Sequence, residues 1–176
     1  MKTLFLSVLI LLLAACASSP PSEQITTIPE NEITLAEVVE TPILFEQSTV
    51  RWGGRVLEAE LINDQGTTLL RVEIINYPLD GRGKPLSESS PGLRFVAHIK
   101  AGDQSLADLL DKVFKRNAFV TVVGDVYGSE AIELASGQAQ QLPIVNAEDF
   151  YRWSYSPEEK RRHNGVSFGI GIGIRL

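Results

Sequence analysis

The only cysteine of this chain is Cys16, and it closes an apolar N-terminal stretch directly after Leu13, Ala14 and Ala15. That placement limits the fold in two ways. No disulfide can brace the chain, so whatever folds must be held by its own core. The first 15 residues read as a leader: Met1-Lys2 supplies a positive end, and Leu4 to Leu13 is apolar apart from Ser7, the pattern of a signal-peptide core. The run is too short to span a bilayer, which takes roughly 20 apolar residues.

Small residues before a lone cysteine match the lipobox of bacterial lipoprotein precursors, in which the thiol takes a diacylglycerol and becomes the acylated N-terminus after cleavage. Cys16 is therefore the expected lipidation site, and a lipid membrane the expected partner. The plainer alternative is a secretory signal cut elsewhere that leaves a free thiol. Each buried CH₂ of an acyl chain contributes about 0.8 kcal/mol, so several chains such as palmitate anchor a protein without crossing the bilayer. Ala17 and Ser18 would follow the acylated cysteine. An aspartate in the position of Ala17 is the enteric signal for inner-membrane retention, and its absence points to the outer membrane.

The formal charge is −6. Loss of residues 1–15 removes Lys2 and no acid, which makes the remaining chain more negative by one. An acidic chain is a poor phosphate binder, and nucleic acid is disfavoured as a partner because its affinity comes largely from lysine and arginine on phosphates. Ala17 to Glu32 is rich in proline, serine and threonine and reads as a spacer that cannot bury enough surface to order itself. The expected organisation is a leader over 1–15, a lipidated tether over 16–33, a β-barrel domain over 34–155, and a short helix with a glycine-alternating strand over 156–176.

Within the domain, Thr34 to Glu40 suits a short helix or a strand. From Thr49, Val50, Trp52, Gly54 and Val56 alternate with Arg51, Gly53, Arg55 and Leu57, the period of a half-buried strand, and Gly53-Gly54 suggests a bulge or bend. Asn63-Asp64-Gln65-Gly66 is a turn. Leu70, Val72 and Ile74 then face one way, which makes residues 49–77 a long hairpin. Pro78 to Gly92 is a loop, and Leu93, Phe95, Ala97 and Ile99 form a third strand. Leu106, Leu109, Leu110, Val113 and Phe114 trace a helical stripe, with Ser105 and Asp108 as a capping box. Phe119 to Tyr127 and Leu142 to Trp153 supply two more strands. Three strands, a helix and two strands are the order of an OB-fold. The expected fold is mainly β: a small OB-like antiparallel barrel with one helix between strands three and four, and Trp52 and Val122 sharing a core with that helix.

Val50-Arg51-Trp52-Gly53-Gly54, Pro78-Leu79-Asp80-Gly81-Arg82-Gly83-Lys84-Pro85, Arg94-Phe95, Thr121-Val122-Val123-Gly124 and Tyr151-Arg152-Trp153 occur in this order behind the lipobox. Together they resemble the Slp family of Gram-negative outer-membrane lipoproteins, associated with starvation and stationary phase. The resemblance implies outer-membrane attachment and a small β-rich domain, and it transfers no catalytic or ligand residue.

Catalysis has little to stand on. His98 and His163 are far apart in sequence, and no second cysteine joins them, so neither a metal site nor a cofactor is expected. His98 belongs to the polar face of the third strand, where a solvated side chain is the simple reading. His163 ends a short helix capped by Ser156 and Pro157. No Gly-x-Ser-x-Gly elbow, phosphate loop or H-E-x-x-H motif is present. Gly81-Arg82-Gly83-Lys84 lacks the phosphate-loop spacing and is a turn.

The alternation of Val166, Phe168, Ile170, Ile172 and Ile174 with Ser167, Gly169, Gly171, Gly173 and Arg175 suits an extended chain. Residues 166–174 either add a strand to their own domain, pair with an envelope protein or a second copy, or lie shallowly on a membrane. Two functions follow. One is a non-enzymatic lipoprotein that supports the cell envelope under stress. The other is a module that binds oligosaccharide or peptide on the open barrel face, with Trp52, Tyr77, Tyr151 and Trp153 as stacking residues. Exposure separates them: clustered exposed aromatics favour binding, buried ones the first.

Overall fold

A computed structural model describes residues 20–100, 105–133, 137 and 139–155. Cys16 and the leader, together with the expected C-terminal helix and glycine-alternating strand, lie outside the described residues. Two short helices come first, α1 (Glu23–Thr26) and α2 (Leu35–Glu40), followed by a 3₁₀ turn over Pro42–Phe45. Five strands and one helix make up the rest: β1 (Thr49–Asp64), β2 (Thr67–Tyr77), β3 (Arg94–Lys100), α3 (Leu106–Lys112), β4 (Phe119–Glu133) and β5 (Ala139–Trp153).

The strands close into a barrel in the order β1-β2-β3-β5-β4. Its architecture is the OB-like one expected, with a qualification. Four of the pairings are antiparallel, but β3 meets β5 in parallel, with Val96 opposite Ile144 and Ile99 opposite Ala147. A parallel pair needs a long crossover, and α3 with β4 supplies it.

The β1–β2 turn falls on Gln65 and Gly66, both at positive φ (48° and 85°), the geometry that matches strand twist in a two-residue hairpin. Asn63 Oδ1 accepts from the Gly66 N–H at 3.0 Å. The bulge in β1 is not at Gly53-Gly54: register shifts between Val56 and Glu58. The two glycines answer a different need, since a Cβ on Gly54 would stand 2.0 Å from the Ile75 carbonyl oxygen.

Inward-facing Val50, Trp52, Val56, Leu70, Val72, Ile74, Phe95, Ala97, Ile99, Val120 and Val122 fill the barrel, and Leu106, Leu109 and Phe114 close one end. Leu110 and Val113 are partly buried against the same core. The helix is therefore packed as its stripe predicts. Ser105 takes the N-cap place of α3, but its side chain makes no cap hydrogen bond. The capping box lies instead on α2: the Glu37 N–H donates to Thr34 Oγ1, and the Thr34 N–H to Glu37 Oε2 at 2.7 Å. These bonds decide the segment in favour of helix; the Thr34 hydroxyl also donates to Glu37 Oε2 at 2.6 Å, and this bond first, with the Thr34 N–H second, holds the Glu37 carboxyl below its ordinary range.

The segment expected to be a free tether is seated on the barrel from Ser22 onward. Ile25 is fully buried, Ser22 caps α1 through the Ile25 N–H, and Leu35 and Val38 join the main core. One buried isoleucine contributes about 1.5–3 kcal/mol, which a composition average over the whole stretch conceals.

Candidate functional site

The outer face of β1, β4 and β5 forms the seat for this N-terminal strap. Pairing places Arg51 beside Val123, Gly53 beside Thr121, and Thr121 beside Tyr151. Arg51 was expected on the solvated side of its strand, but it is only 4% exposed because the strap lies over it. Its Nη1 donates to the Ile25 carbonyl at 3.0 Å, and its Nη2 meets Glu32 Oε1 at 3.4 Å. The loop after β2 packs against the same place. Its turn is set by Asp80, whose Oδ1 accepts from the N–H groups of Arg82 and Lys84. Gly83 (φ 81°) lies so close that a Cβ there would stand 2.2 Å from the Ile25 oxygen. Thr121 donates to the Gly83 carbonyl and accepts from Trp153 Nε1 at 2.9 Å.

The four aromatic residues proposed as stacking partners do not share one exposed surface. Trp52 is inside the barrel, edge-on to Phe95 at 5.4 Å, with its Nε1 donating to the Ile33 carbonyl at 2.8 Å. Tyr77 is buried in a second cluster with Phe119 and Tyr155, against which Trp153 packs. Tyr151 and Trp153 are half-buried, edge-on to each other at 4.7 Å. Tyr77, Tyr151 and Trp153 are thus brought into one region, with Trp52 on the other side of the barrel wall. Their alternation marks the faces of their strands, but the strap and loop that cover the outer face leave no sign in it. The residues that sequence reasoning missed are Ile25, Arg51, Gly83 and Thr121. The available signals were Ile25 standing three places after a capping serine and, for Arg51, Gly83 and Thr121, their place in the motifs that resemble the Slp family.

On the outer face of β2 and β3, the side that holds ligands in many OB domains, cations are already matched. Arg71 is bonded to Glu130 on β4 and reaches Glu60 on β1, while Arg94 meets Glu73 at 3.1 Å. Glu130 raises the Arg71 pKa further by its hydrogen bond. His98 is paired with Arg71 and Asn146 and is 8% exposed, which corrects the solvated reading. Its Nε2 has no hydrogen-bond partner. Burial pushes the imidazole below its ordinary 6.5, against the pull of Glu130 and Asp64 and with the help of Arg71.

A neutral His98 in the fold and a titrating one in the unfolded chain mean that the unfolded state binds more protons below pH 6.5, so stability falls as pH drops through that point toward the lowered value. The wild type is therefore expected to lose more stability between pH 7 and 5 than His98→Gln, measured by denaturant midpoints at each pH. Equal slopes would show that His98 does not titrate differently in the fold. Among the described residues, no group of three or more histidine, cysteine, aspartate or glutamate side chains could hold a metal ion.

With the barrel and strap in view, comparison with known proteins is decisive. The model of the "Outer membrane lipoprotein Slp family" matches residues 13–169. The chain belongs to the Slp family. The "Outer membrane protein Slp" of Escherichia coli (strain K12) is 32% identical over 164 residues, covering 91% of this chain and 79% of that protein. This Slp-family chain is an outer-membrane lipoprotein, lipid-anchored at that membrane. Among solved structures, the mitochondrial single-stranded DNA-binding protein of S. cerevisiae aligns at 15% identity with TM-score 0.42, covering 63% of this chain and 99% of that one. A small single-stranded DNA-binding protein of Streptomyces coelicolor gives 11% and 0.41, with 61% and 93% covered.

Proposed function

We propose that this lipoprotein is a non-enzymatic component of the outer membrane, acylated on Cys16, that supports envelope integrity when cells starve. The observation that carries this reading is the use made of the residues a binding module would need. Trp52 and Tyr77 are buried, and Arg71 and Arg94 are paired with acids. The barrel is thus a filled body with a covered outer face, suited to holding a fixed position at a membrane and contacting neighbours. The starvation context is what the family resemblance implies. The acidic charge and matched arginines argue against nucleic acid as a partner. Residues 166–174 are the proposed contact with an envelope protein or a second copy.

The test is a strain lacking the gene, starved and then challenged with a bulky hydrophobic dye that the intact outer membrane excludes. Dye uptake is expected to rise in starved cells and to return to normal with the wild-type gene. Equal uptake with and without the gene would remove the integrity role.

A further inference from the structure

We infer that Ile43 and Leu44 form a second membrane contact, a knuckle that inserts into the leaflet holding the acylated N-terminus; this rests on the reading of Cys16 as the anchor. The two side chains are 88% and 75% exposed, the highest values among the exposed large apolar residues described. The turn that carries them is firmly built. It opens on Pro42, and its backbone is closed by Leu44 N–H to the Thr41 carbonyl and Ser48 N–H to the Phe45 carbonyl. Phe45 packs against the core, so the turn is fixed from below while Ile43 and Leu44 project. Tyr127 is also exposed; it follows Val126, whose backbone bonds to Gln47 and Ser48.

Lipid is favoured as the occupant by where the anchor leaves the barrel. Ser22 is hydrogen-bonded to Asp149, and Asp149 is paired with Val123. Ser22 is thus held on β5 opposite Val123, and Gln47 and Ser48, which follow the knuckle, are held at Val126, so the two attachments lie one strand spacing apart across the sheet and about 10 Å apart along β4. Five residues separate Cys16 from Ser22, and the six steps between them reach at most about 20 Å when extended. An acylated Cys16 thus keeps this corner of the barrel, and the knuckle with it, close to the leaflet.

Charge narrows the kind of lipid. Between Cys16 and Val50 the chain carries Glu23, Glu30, Glu32, Glu37, Glu40 and Glu46 and no lysine or arginine. An acidic strap is repelled by an anionic surface and tolerated by a zwitterionic one, so contact comes from apolar insertion and not from headgroup charge.

The experiment uses the full lipidated chain in phosphatidylcholine vesicles. With Cys16 acylated, Leu44→Cys supplies a single thiol for an environment-sensitive fluorophore, and Thr67→Cys, beyond the far end of β1, is the control. Brominated acyl chains should quench the label at position 44 by half or more, as for a side chain about 5–10 Å into the headgroup boundary, and leave that at position 67 unchanged. Adding Ile43→Asp should bring the label at 44 down to the control level, and phosphatidylglycerol should weaken its quenching at low salt. A label at 44 that stays unquenched while the protein floats with the vesicles overturns the knuckle and leaves the anchor standing. A label at 44 that reports an apolar environment without quenching by brominated chains, and that returns to an aqueous spectrum on dilution of protein in lipid, assigns the surface to a second copy and also overturns it. A chain whose mass shows no acyl group, and which does not float, overturns both the anchor and the knuckle.

Discussion

Replacing Gly124 with alanine is expected to lower the stability of the barrel by more than about 4 kcal/mol. A Cβ at this position would stand 2.0 Å from the Asn146 carbonyl oxygen, 2.8 Å from its carbon and 2.9 Å from the Ala147 Cα. All three atoms are backbone of the paired strand, at the point where β4 and β5 shift register between Val123 and Gly124. No rotamer change relieves such a contact, and moving β5 away would open its parallel pairing with β3. A loss of more than about 4 kcal/mol, the range reserved for severe faults, would consume from about a quarter to most of a typical domain's 5–15 kcal/mol. Gly81→Ala is the control: nothing lies within 4 Å of its Cβ position, and its midpoint should stay within about 0.5 kcal/mol of wild type. Denaturant titration of the unlipidated chain followed by circular dichroism reads both. A Gly124→Ala variant with a wild-type midpoint would mean that the two strands do not approach as closely as described.

Inward-facing positions were legible because burial on one side of a strand writes itself into the sequence at period two. Val50 and Trp52 on β1, and Leu70, Val72 and Ile74 on β2, all point into the core; the Leu106/Leu109 stripe of α3 did the same at helical period. The Asn63–Gly66 turn was legible through its own chemistry. What escaped was set by tertiary cover. Arg51 and His98 stand at positions that alternate correctly as outward, yet both are buried, one under the strap and the other beside Arg71 on the neighbouring strand. Local periodicity reports which way a side chain points and not what later lies across it. Ile25 escaped for the complementary reason, as a single apolar residue in a polar stretch. Trp52 was named as a candidate for stacking a ligand, but its ring belongs to the core and its indole N–H holds the strap at Ile33.

The largest functional effect is expected at the other end of the strap. Cys16→Ser removes the one thiol of the chain, and serine is not an acceptor for the diacylglycerol. Without acyl chains, each worth about 0.8 kcal/mol per buried CH₂, the apolar knuckle of Ile43 and Leu44 offers the bilayer two side chains, far short of stable attachment. Among the described residues no helix is long and apolar enough to cross a membrane and compensate. The fold itself should be untouched, since Cys16 lies outside the residues whose contacts build the barrel: among the described residues, Ser22 is the first bonded to it. The decisive measurement labels cells with radioactive palmitate and separates their membranes on a density gradient. Wild type is predicted to take up label and to sediment with the outer membrane, and Cys16→Ser to remain unlabelled and to leave that fraction. A Cys16→Ser protein that carried label and still sedimented with the outer membrane would contradict the anchor on which this account rests.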